Sequence, residues 1–132
     1  MPVVVMHTVY SHDILDNENC LFIYMDHSKQ KGDPLVNIVL RDGSNSAPIL
    51  VKKFSGREPE SYYKDNEFHV FKEEFDKSWS VVNNYLADGG VAILCRESVD
   101  NQDFSMTNIK RHSTKVHDYI EKYMTNLLKR YK

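Results

Sequence analysis

A chain of 132 residues, 41% hydrophobic and 11% aromatic, holds enough apolar side chain for one core, so residues 1–132 are expected to form one domain. Its 17 Lys and Arg against 19 Asp and Glu leave a formal net charge of -2, which excludes a global field for nucleic acid or an anionic membrane. No apolar run approaches the roughly 20 residues of a membrane span. The opening MPVVVMHTVY also lacks a basic region followed by a long apolar stretch, so a soluble, cytoplasmic protein is expected.

In chain order, VVVM (Val3 to Met6) is the first strand candidate, and CLFIYM from Cys20 is the second, running straight into Asp26, His27 and a lysine-flanked glycine turn. The segment from Asp33 to Arg41 is ambiguous. Asp33 and Pro34 form a fair cap and first-turn pair for a helix, whereas the β-branched content favours a strand closed by a hairpin at Asp42 and Gly43. PILVKK from Pro48 is a third strand.

Phe68, Phe71, Phe75, Trp79, Val82 and Leu86 then follow the three-or-four spacing of an amphipathic helix, with Asp65 or Asn66 as its cap and acids in its first turns. Gly89 and Gly90 stop it, and VAILC follows as a short, fully apolar strand. The chain closes on a second amphipathic helix striped by Val116, Ile120, Tyr123 and Leu127, with Ser113 or Thr107 as caps. Helix, glycine turn and buried strand together indicate a parallel α/β unit. Cys20 and Cys95 sit in apolar runs without a CxxC partner and read as buried free thiols.

Chemistry is harder to find. Asp26 and His27 stand at the carboxyl end of a central strand, where open α/β sheets place ligands; the competing reading has Asp26 capping the next turn and His27 in solvent. No Gly-x-Ser-x-Gly elbow, Walker loop or Gly-x-Gly-x-x-Gly occurs. The six histidines lack short-range ligand spacing, so neither a metal nor another cofactor is implied. Lys110, Arg111, His112 and Lys115, and separately Lys52, Lys53 and Arg57, could grip phosphate. Nearby acids and the absence of interleaved aromatics make them solvated faces, and nucleic acid is disfavoured. Tyr62 and Tyr63 lie in a polar stretch with Pro59, where amphipathic rings would serve as contacts for a protein partner; a core-capping role is the alternative.

The chain resembles an uncharacterised family of small, mainly phage-encoded proteins. In that family a strand ends in Phe-Gly-Asp-Asn, followed by a Gly-Gly-Gln-Ala helix start, an Ile-Arg-Asp segment and a Gly-Ile-Pro-Thr-Lys strand. Here YMDH, LVNI, LRDGSNSA and PILVK stand at those places, and YYKDNEF, the long helix and GGVAILC continue the order. The resemblance tilts the ambiguous segment toward a helix. Asp26, the Arg41 and Asp42 pair and Lys52 match the family, but Met25, Leu35 and Val36 replace its glycines, and ESVDNQDFS replaces its last glycine-rich turn. Side chains at such places obstruct the approach of backbone N–H groups to phosphate, so a nucleotide-like ligand is expected to bind poorly.

The fold expected is α/β, a mainly parallel sheet of about four strands with helices packed on it. The function expected is a noncatalytic small binding protein, a phage accessory factor that engages a host protein or sequesters a small ligand, with the phage origin implied by the resemblance alone. The alternative is a nucleotide- or ADP-ribose-processing enzyme, with Asp26 and His27 at the strand end and Arg41 or Lys52 neutralising phosphate.

Overall fold

The apolar runs form four parallel strands. These are β1 (Val3–Val9), β2 (Cys20–His27), β3 (Ser46–Lys52) and β4 (Val91–Val99), side by side in the order β1-β4-β2-β3. A two-residue β5 (Gln102–Asp103) folds back antiparallel on β4. The structure, a computed structural model, describes residues 2–27, 45–54, 58–99, 102–103 and 106–131. The ambiguous segment from Asp33 to Arg41, with Leu35, Val36 and the Asp42 turn, lies outside the described residues. Every residue of β2 from Leu21 to His27 is buried, which is why this strand reads as an unbroken apolar run instead of an alternation.

Four helices accompany the sheet: α1 (Ser11–Asp16), α2 (Phe68–Ala87), α3 (Met106–His112) and α4 (Thr114–Tyr131). The connection from β1 to β2 passes over β4 in one direction, and that from β3 to β4 passes over β2 in the other. Right-handed crossovers therefore put α1 and α2 on opposite faces. Alternation along β2 sorts the core accordingly. Leu21, Ile23 and Met25 pack with Ile49, Val51 and Leu94 under α2 and α4, while Phe22 and Tyr24 pack with Val9, Ile14 and Cys95 on the α1 side. The architecture is the expected α/β class, with a four-stranded parallel sheet.

The stripe from Phe71 to Leu86 is buried as its spacing requires. Each such side chain contributes about 1.5–3 kcal/mol on burial. The start of α2 differs from expectation. Asp65 to Glu67 form a 3-10 turn, Glu67 occupies the cap position, and the first helical turn holds no acid. The physical reason is competition for the acids: Asp65 accepts from Ser113, and the Glu67 carboxylate takes the Lys64 N–H and the Lys53 ammonium.

The end of α2 follows the glycine rule. Gly90 N–H reaches Tyr85 O at 3.3 Å and Gly89 N–H reaches Leu86 O at 3.0 Å, with Gly89 at φ 88°. This nested pair is the Schellman arrangement, which needs a left-handed residue at that point.

Two short helices escaped the sequence reading because neither is long enough to show a period. α1 is held by a local cap, in which Asp13 accepts the Tyr10 N–H at 2.9 Å, and by a tertiary contact, in which the Asn45 amide donates to Ile14 O at 2.7 Å. α3 buries only Ile109. At the start of α4, Ser113 Oγ accepts the Val116 N–H at 3.1 Å, which makes Ser113 its cap. Cys20 and Cys95, half-buried and buried, are thiols that form no disulfide. Among the described residues no helix is long and apolar enough to cross a membrane.

Candidate functional site

Three ionisable side chains lie buried where β2 and β3 end. Asp26, His27 and Lys52 are 0%, 4% and 8% exposed. Consecutive strand residues ordinarily face opposite ways, but the pairing with β3 shifts register between Asp26 and His27. At that irregularity Asp26 Oδ1 accepts the His27 N–H at 2.8 Å and lies 3.7 Å from His27 Nε2. His27 stands opposite Lys52 in the ladder. Sequestering ionisable groups from water is costly without specific partners, so a cluster of them at a strand end is a candidate site on physical grounds.

The cluster continues through Tyr62. Past β3 the chain turns back, with Lys53 N–H donating to Ser61 O at 2.9 Å, and this return sets Tyr62 beside the strand end. The Lys52 ammonium lies 4.5 Å from the centroid of the Tyr62 ring, a cation–π contact. His112, at the end of α3, stacks on the same ring with centroids 4.5 Å apart and planes 18° apart.

Lys64 Nζ is 3.0 Å from His112 Nδ1. An ammonium can only donate, so Nδ1 accepts and the imidazole proton resides on Nε2. Burial, then the charges of Lys64 and Arg111, hold His112 below the usual imidazole range. Lys64 is also tied to Pro59 O at 2.9 Å, and Glu67 anchors Lys53 at 2.9 and 3.2 Å. The hydrogen bond from Lys53 is the main reason the Glu67 carboxyl sits below its usual range.

Several expectations change against this geometry. The structure brings Asp26, His27 and Lys52 to one strand end; Arg41 lies outside the described residues. His27 is not solvated, because it belongs with Asp26 to the buried strand; the turn that Asp26 was expected to cap lies outside the described residues. Tyr62 and Tyr63 are 3% and 5% exposed, so the expectation of an exposed contact loop is corrected. Their rings supply apolar area to the core: Tyr63 packs edge-on to Phe71 at 5.7 Å, and burial, with Glu74 and Glu67 nearby, pushes its hydroxyl up to about 12. Lys52, read as part of a solvated face, is buried, whereas Lys110, Arg111 and Lys115 are exposed.

Of the side chains that stand at the family's glycines, Met25 is described and Leu35 and Val36 lie outside the described residues. The Met25 side chain packs in the core under α2 and α4, on the face opposite Phe22 and Tyr24. Asp26 continues the Phe22 and Tyr24 row by alternation.

His112 and Lys64 went unrecognised as site residues. They lie 48 residues apart, so no local spacing joins them. Among the described residues, no three of His, Cys, Asp and Glu gather as metal ligands. Chemically, the groups gathered here are cation and N–H donors, the Lys52 and Lys64 ammonium groups and the His112 imidazole, beside the Asp26 carboxylate, an acceptor.

No curated protein and no solved structure matches the chain. The family of unknown function DUF7831 matches residues 4–123, from β1 through the first half of α4, and the chain belongs to that family.

Proposed function

We propose that the protein is a noncatalytic binding protein that sequesters a small nucleotide-like anion at the carboxyl ends of β2 and β3. The observation that carries the reading is the burial of Asp26, His27 and Lys52 side by side at the point where open parallel sheets hold their ligands. Lys52, with Lys64 and His112 beyond Tyr62, supplies donors for phosphate, and Asp26 supplies an acceptor for a sugar hydroxyl. Read with the resemblance to phage-encoded proteins, such sequestration is an accessory act in the cytoplasm of a host cell. Engagement of a host protein through Tyr62 and Tyr63 has less support, since both rings are buried.

The 3.7 Å approach of His27 Nε2 to Asp26 Oδ1 favours one second reading, a nucleotide- or ADP-ribose-processing enzyme in which this pair moves a proton.

Thermal unfolding against adenine and guanine mono- and diphosphates, ADP-ribose and inorganic phosphate tests both. A ligand at about a hundred times its Kd stabilises the native state by about 2.7 kcal/mol, a rise of several degrees in Tm. The proposal expects such a rise for at least one phosphate compound, its loss in Lys52→Met, and no turnover of the compound. A panel without effect, or a rise indifferent to Lys52→Met, overturns it. Turnover that disappears in Asp26→Asn transfers support to the enzyme.

A further inference from the structure

A second feature lies away from the strand ends, on the outer surface between α2 and α4. Midway along, the two helices touch through aromatic rings: Phe75 meets Tyr123 at 5.2 Å and Trp79 meets Tyr123 at 5.4 Å. Further along they leave a groove of about 320 Å³, within the range of small-molecule sites. Its lining includes Trp79 and Tyr123, the amides of Asn83 and Asn126, and the cations Lys122 and Arg130, with no carboxylate among the described residues.

The composition is unusual for a mere seam between helices. Asn83 and Asn126 are exposed on the rim of the groove, and asparagine is a poor helix former. Lys122 and Arg130 form no ion pair among the described residues, and the Arg130 guanidinium lies 5.3 Å from the centroid of the Tyr131 ring. Trp79 is 3% exposed, and its indole N–H, which has no acceptor among the described residues, is not fully buried and keeps access to solvent. The acid that meets the groove's tyrosines is already committed: Asp76 takes Lys72 at 2.8 Å and Tyr119 at 2.7 Å.

We infer that this groove is a binding site for a small aromatic anion, a planar ring bearing a carboxylate or a phosphate. The ring stacks on Tyr123, the more exposed of the two, and meets the rim of Trp79, whose plane lies 78° from that of Tyr123 and which is itself stacked on Phe75. The acidic group is held by Arg130 in a two-point contact and by Lys122. Asn83 and Asn126 offer both donors and acceptors to ring substituents.

Trp79 is the sole tryptophan, so the single indole N–H peak in a proton–nitrogen correlation spectrum reports on this groove alone. Benzoate and phenyl phosphate are titrated as the two ring anions, with benzamide, acetate and inorganic phosphate as counterparts that lack the charge or the ring. The expected result is a saturable shift of the indole peak with at least one ring anion, whichever of the two binds tighter identifying the acidic group. The counterparts leave the peak in place, and Arg130→Gln and Lys122→Gln, both at exposed positions, each weaken binding roughly tenfold. No shift with either ring anion, an equal shift with benzamide, or unchanged affinity in both variants overturns the inference. A strand-end ligand would instead move the amides of β2 and β3, so either site can fail without the other.

Discussion

The imidazole of His112 lies nearly flat on the ring of Tyr62, with centroids 4.5 Å apart, and its Nδ1 accepts the Lys64 ammonium. This contact locks the end of α3 to the chain leaving β3, and it requires a neutral imidazole. Protonation would set a third charge beside Lys64 and Arg111, with Lys52 on the same tyrosine ring. The folded pKa is thus depressed below the unfolded value of about 6.5. The unfolded chain takes the proton more readily, so the contribution is whole above about pH 6.5 and is lost as the pH falls through the folded value. Tm measured from pH 7.5 to 5 should fall more steeply for the wild type than for His112→Asn. Parallel curves would show that the imidazole is not the titrating group.

Ser113 does two things with one hydroxyl. It donates to Asp65, at the turn before α2, and accepts the Val116 N–H, which caps α4. Loss of a cap of this kind costs about 1 kcal/mol, within a range of about 0.5–2 kcal/mol. Ser113→Ala should fall at the upper end, because the buried link to Asp65 goes with it. Urea unfolding measures the change, and a loss near zero would mean that the cap is replaced by water.

The two glycines after α2 are not equivalent. Gly89 needs its positive φ, and a side chain there costs about 1–2 kcal/mol of backbone strain although the space is open. Gly90 has an ordinary backbone but no room, since a Cβ would lie 2.3 Å from the ring of Tyr85. That ring reaches across to Asn19 O, with which its hydroxyl forms a 3.1 Å hydrogen bond. Gly89→Ala should lower stability without altering the tyrosine, while Gly90→Ala should also displace it. Denaturant midpoints together with the Tyr85 ring signals separate the two, and identical behaviour would refute the distinction.

Phe75 is fully buried and its ring meets those of Phe71, Trp79, Tyr119 and Tyr123. Phe75→Ala should cost about 3–5 kcal/mol, a large part of the roughly 5–15 kcal/mol that holds a domain together. Urea denaturation followed by near-ultraviolet dichroism checks it. A cost below about 1 kcal/mol would mean that the aromatic cluster is not the centre of the fold.

The sequence made these core elements legible because their periods are strong. The run from Phe71 to Leu86 could only be an amphipathic helix, and an unbroken run like that of β2 suits a strand covered on both faces. Short elements such as α1 and α3 lack the length to show a period. The strand end was visible at Asp26 and His27, since a hydrophobic strand there runs into two polar residues. What sequence could not show was the side on which Tyr62 lies: two tyrosines in a polar stretch look exposed until the backbone returns along β3 and turns them inward. His112 was invisible for the same reason, as only the tertiary path sets it on Tyr62.

The most direct test of the strand-end site is a titration of the isotope-labelled protein with a nucleoside diphosphate, read as backbone amide shifts in wild type and Lys52→Met. The account predicts saturable shifts centred on Asp26, His27, Lys52 and Lys53, spreading to Tyr62 and His112, with affinity about tenfold or more lower in the variant. Shifts that avoid the ends of β2 and β3, or no shifts at saturating diphosphate, would contradict it.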